Sequence, residues 1–183
     1  MADNNTNASA ASASTNSGAA ANGSGSAKVV PASKAPVVSW TETDGTTKVS
    51  KWQMGKVNAG ESSAEKTFLI WNNCGGTDDV SDMQDVQITT TDGVGDTLDV
   101  VMDKWINARC NSAGDTAFTA IGGSDMYMLR AKDQAPGVIK GTKNGGMLTD
   151  TDNYTSVTLY GHPPLNVPAG KRSFMTRVLF YFT

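Results

Sequence analysis

The feature that most constrains this chain is a composition break near residue 27. Met1 to Ala27 contain almost only Ala, Ser, Asn, Gly and Thr, with Asp3 the sole charged residue and Met1 the sole large apolar one. A segment of this kind has too little apolar surface to offset the conformational entropy lost on ordering. Its composition is that of a flexible linker. It is expected to stay unstructured by itself and to take shape only on a partner's surface. Fully extended, it could reach on the order of 90 Å at about 3.3 Å per residue. Two regions follow: a low-complexity N-terminal arm over 1–27 and one folded domain over 28–183.

From Lys28 onward, short alternating apolar runs are separated by Gly, Asn, Asp and Pro. Val37-Val38-Ser39-Trp40 reads as a first strand after Pro36. Lys66 to Trp71 reads as a second, closed by the turn-forming run Asn72-Asn73-Cys74-Gly75-Gly76. Asp85 to Thr89 alternates with period two before the turn pair Asp92-Gly93. Tyr154 to Tyr160 places Val157 and Leu159 on one face. The last strand puts Phe174, Thr176, Val178, Phe180 and Phe182 on one side, with Met175, Arg177, Leu179 and Tyr181 on the other. Leu98, Val101, Met102 and Trp105 fall at helical spacing, but the β-branched Val100, Val101 and Ile106 and the surrounding texture favour a strand there. Charged residues are only 18% of the chain, which suits a turn-rich β protein better than a helical bundle. The expectation is an all-β fold of seven to nine strands, a sandwich in preference to a barrel, with Trp40, Trp52, Trp71 and Trp105 in or near its core.

Composition also narrows function. Net charge is −3 and the pI is about 5.0, so no basic field is available to hold a nucleic-acid backbone. No apolar run approaches the roughly 20 residues that span a bilayer. Neither a nucleic-acid nor a membrane partner is expected. The N-terminus lacks the basic start and apolar run of an export signal, so assembly in a cytoplasm is expected.

Site chemistry is sparse. His162, the one histidine, sits in a Gly-His-Pro-Pro turn and reads as a loop residue rather than a general base. Nucleophile-elbow, Walker and zincin motifs are lacking. Cys74 and Cys110 could pair, but a reducing compartment favours free thiols. Eight aspartates (Asp78, Asp79, Asp82, Asp85, Asp92, Asp96, Asp99, Asp103) occur between Gly75 and Asp103 without a Lys or Arg. Asp150-Thr151-Asp152-Asn153 adds a second acidic run. Calcium takes such ligands, yet the ordered EF-hand pattern is missing and solvated turns account for both runs. From Lys104 onward, nine basic and five acidic residues reverse the sign. Complementary patches could drive self-association, although dispersal of both signs over the surface is the simpler reading. The chain is therefore expected not to be an enzyme, with no catalytic, cofactor-binding or metal residues and no cofactor.

Three stretches carry a family resemblance. Gly55-Lys-Val57-Asn-Ala59-Gly60, after Trp52-Gln-Met and running into Phe68-Leu-Ile70-Trp-Asn72-Asn73, resembles a "G-x-V-x-A-G … F-x-I-x-N" entry to a core strand. Asp79-Val-Ser-Asp82-Met-Gln-Asp-Val86-Gln-Ile88 looks like the strand after the Asn-Gly turn. Val167-Pro168-Ala169-Gly170-Lys-Arg-Ser-Phe174-Met-Thr-Arg177-Val178 is similar to a "V-P-A-x-A-G-x-x-x-F-x-x-R-V" close. Together they resemble immunoglobulin-like β-sandwich structural proteins of tailed-bacteriophage virions, over about a third of the chain. The resemblance implies a non-enzymatic virion protein; the long arm favours head (capsid) decoration, with a tail, neck or baseplate accessory as the alternative. Its partners would be the major capsid protein or tail and baseplate proteins, gripped by the arm through strand addition, with self-association possible. A carbohydrate or host-surface binding module is the competing reading, with Trp105, Tyr127, Tyr154 and Tyr160 as the stacking candidates.

Overall fold

The computed structural model describes residues 34–183. The expected arm, 1–27, and the first residues of the expected domain lie outside the described residues. The fold is an all-β sandwich built from two antiparallel sheets. Its strands are β1 (Val38–Thr41), β2 (Lys66–Asn72), β3 (Gln84–Thr91), β4 (Ile106–Cys110), β5 (Thr119–Ile121), β6 (Tyr127–Met128), β7 (Tyr154–Gly161) and β8 (Met175–Tyr181). The larger sheet runs β1-β2-β7-β4-β5 and the smaller β6-β3-β8.

Period-two alternation builds the interior. Phe68 and Ile70 of β2, Val157 and Leu159 of β7, and Ile106, Ala108 and Cys110 of β4 enter one core with Val86 and Ile88 of β3 and Val178 of β8. Burying each large side chain contributes about 1.5–3 kcal/mol. Trp71 and Trp105 are buried, while Trp40 and Trp52 pack against the core from its rim. Phe68 is contacted edge-on by both rim indoles, with ring centroids 5.9 Å away in each case.

One expectation is corrected. The segment around Leu98–Trp105 is not a strand. Asp99–Met102 forms a single α-helical turn, α1, and the chain becomes extended only at Ile106. The β-branched residues did not decide the local conformation, because a loop clamp holds the turn's entrance. The Asp92 carboxylate accepts hydrogen bonds from the backbone N–H groups of Val94, Asp96, Thr97 and Leu98, at 2.7–3.0 Å. Val100 and Val101 then face the core, leaving Leu98 and Met102 exposed. The predicted helical stripe is thus a mixture of buried and exposed positions, and Lys104, at φ 52°, ends the turn.

The end of the sandwich beyond β2 is tied together by asparagines. The buried Asn72 accepts from Val37 N–H and donates to the carbonyls of Ser81 and Ile139. Asn73, at φ 64°, donates to the carbonyls of Asp78, Gly141 and Thr142. Asn153 donates to those of Lys140 and Thr142. Gly141 allows this convergence, since a Cβ there would lie 2.4 Å from the Val80 and Ser81 carbonyl oxygens.

Candidate functional site

The two sheets do not close against each other on the side where β1 and β8 form their edges. A cleft of about 430 Å³ opens there. Trp40, Trp52, Met54, Phe68 and Phe174 supply its apolar lining, and Lys171 and Arg172 stand on its rim. Trp52 reaches it from the irregular segment after β1 and meets Phe174 edge-on at 6.3 Å. One wall is pinned by Arg172, whose guanidinium grips the Asp99 carboxylate through Nε and Nη2 at 2.7–2.9 Å. That pairing, with an added hydrogen bond from Val100 N–H, holds the Asp99 carboxyl below its ordinary range. Ser50, Lys51, Gln53, Ser173 and Thr176 add polar groups to this apolar lining.

The edge of β8 adjoins this cleft. Among the described residues, β8 pairs only with β3, and no other strand lies along its opposite edge. The strand Met-Thr-Arg-Val-Leu-Phe-Tyr has one charge and no proline, the usual guards against strand addition.

The other predicted residues are scattered. His162 is exposed, with its ring Nδ1 3.1 Å from Ser62 Oγ and its backbone N–H donated to the Trp105 carbonyl. Cys110 lies in the core beside the Thr155 hydroxyl, at 3.3 Å, whereas Cys74 is half-buried in the turn after β2. Both are free thiols, and burial raises the Cys74 pKa.

The aspartates are used in local turns and ion pairs, Asp92 and Asp96 in the same loop. Asp79 accepts from Lys143 N–H, Asp82 binds Lys140 Nζ and Gly141 N–H, and Asp96 accepts from the Thr91 hydroxyl and Asp92 N–H. Among the described residues no three His, Cys, Asp or Glu side chains gather as metal ligands would. The sign reversal along the sequence is partly consumed inside the chain, because Asp82 pairs with Lys140 and Asp99 with Arg172.

The four stacking candidates do not form one platform. Trp105 is buried. Tyr127 gives its hydroxyl proton to Asp115 and accepts from Cys110 N–H. Tyr154 lies on Trp71, with centroids 4.5 Å apart, and donates to the Leu148 carbonyl. Tyr160 meets Phe118 edge-on at 4.7 Å, and Arg109 covers that Phe118 ring at 4.4 Å. Sequence reasoning missed the cleft altogether. The one available signal was the coincidence of two tryptophans, Trp40 and Trp52, on either side of a Gly/Thr/Lys turn.

Comparison with protein-family models, with curated proteins and with solved structures finds no match.

Proposed function

We propose that this chain is a non-enzymatic structural protein of a tailed-bacteriophage virion, a head decoration protein whose residues 1–27 anchor it to a neighbouring virion protein. The observation that carries this reading is the junction between leader and body. The described chain begins at Lys34 on the surface, where Ser81 N–H donates to the Lys34 carbonyl and Lys34 Nζ meets Asp78 at 2.7 Å. The body described from that point on has its own core, and the Ala/Ser/Asn/Gly composition of residues 1–27 suits an anchor. Small side chains let a partner's backbone approach closely, so main-chain hydrogen bonds repeated along the segment supply the affinity. The sequence resemblance at Gly55–Asn73 and Val167–Val178 supports the virion assignment.

Deleting Met1–Ala27 tests the anchor. The expected product is a folded domain that no longer joins particles during assembly. Normal incorporation of the truncated chain overturns the reading.

A second reading rests on the half-exposed Arg109–Phe118–Tyr160 cluster, which offers an aromatic face and a cation to a host-surface glycan. Strong, Tyr160-dependent binding in a glycan screen of the truncated chain would favour it over anchoring.

A further inference from the structure

We propose that Lys28–Ser33 docks on the open edge of β8 in its own chain, as a parallel fourth strand of the smaller sheet. This inference concerns the body's own edge and does not rest on the virion reading.

The geometry at Ser81 sets the starting point. Its backbone N–H donates to the Lys34 carbonyl at 2.8 Å, and its hydroxyl donates to the Thr183 carbonyl at 2.8 Å. One residue therefore holds the first described residue beside the far end of β8. Between Val38, in the edge strand of the larger sheet, and Lys34, the chain has crossed to the end of the smaller sheet's edge strand. Continuing backward from Lys34, the chain can run along β8 from Tyr181 toward Met175. Six residues span about 20 Å at 3.3 Å each, close to the length of this seven-residue strand.

The sequence fits such an edge. Val29 and Val30 are the only β-branched aliphatic pair before Pro36. Pro31 has no N–H to donate, so it must take a position facing away from β8. That places Val30 and Ala32 on the hydrogen-bonding side and sends Val29 and Val30 to opposite faces. An independent observation lies on β8 itself. Arg177 Nε is buried and has no hydrogen-bond partner among the described residues. A strand laid alongside brings carbonyl oxygens within reach of it. Docking also has a consequence for the leader, which then departs from the Met175 end of β8, beside the apolar cleft, rather than from Lys34.

Residue-resolved amide exchange tests this in the full chain, in V30P of the full chain, and in chains beginning at Lys28 and at Lys34. In the full chain and the chain from Lys28, alternate amides of Met175–Tyr181 should exchange about tenfold or more slowly than in V30P and the chain from Lys34. The amides facing β3 should be unaffected. Equal rates in the full chain and V30P overturn the proposal. Slowing that disappears on dilution also overturns it, because the occupant is then a second copy. The chain from Lys28 separates the two ideas: slow β8 exchange with lost incorporation supports both, and slow exchange with normal incorporation removes only the anchor.

Discussion

Arg172 and Asp99 are joined by a bidentate ion pair, with Nε 2.8 and 2.9 Å from the two carboxylate oxygens and Nη2 2.7 Å from one of them. Seventy-three positions separate them in sequence, and the pair fastens the segment before β8 to the single turn α1. The guanidinium also lies 5.6 Å from the Trp105 ring. R172A should loosen this wall of the cleft and red-shift tryptophan emission, and the shift should vanish in a W105F background. D99N should give a smaller shift, because Arg172 can remain over the indole. Both variants should melt at lower temperature than the parent, and the gap should narrow in high salt as the pair is screened.

Asn73 combines a positive φ of 64° with three carbonyl hydrogen bonds from one amide. N73A should lose about 2–3 kcal/mol in denaturant unfolding, since it strands buried carbonyls. N73G should lose about 1 kcal/mol less, because glycine accepts the left-handed backbone without strain. Equal losses would show that backbone strain contributes nothing at this turn.

Asp92 is held down to about 2 from an ordinary 3.8, chiefly by the Val94 N–H, with Leu98, Asp96 and Thr97 adding theirs. A carboxyl with a depressed pKa in the folded state contributes stability in full above its unfolded value and loses it as pH falls toward the folded one. Amides of residues 93–98 should therefore exchange faster as pH drops from 4 to 2, after correction for intrinsic rates. D92N should already show the faster exchange at pH 7 and should flatten this acid response.

Tyr127 is pushed up to about 12 by burial and by the Asp115 carboxylate it donates to. In an absorbance titration, one of the four tyrosines should ionise near pH 12, and Y127F should remove that step. The same variant deprives Cys110 N–H of its acceptor, at a cost of about 1 kcal/mol.

Much of the architecture was legible in single segments. Strands β2, β3, β7 and β8 announced themselves through alternation, and Val157 and Leu159 face the core where the pattern put them. The run Asn72-Asn73-Cys74-Gly75-Gly76 was readable as a turn, because Asn and Gly tolerate the positive φ that Asn73 and Gly75 adopt. What Asn72 and Asn73 bind was not readable, since their carbonyl partners come from residues up to 69 positions away. The short strands β5 and β6 have too few residues to show a period, and they exist through pairing with β4 and β3.

The sequence by itself determined a break in composition after Ala27 and a β-rich stretch beyond it, because both properties reside in local composition and in a two-residue repeat. Only the tertiary structure decided that Asp99–Met102 coils, that the aspartates hold turns and ion pairs, and that Trp40, Trp52 and Phe174 meet at an open cleft. Those outcomes depend on which distant groups arrive to satisfy a backbone N–H, a carboxylate or an apolar surface. Periodicity along a chain specifies which face a side chain takes; it does not specify what stands opposite.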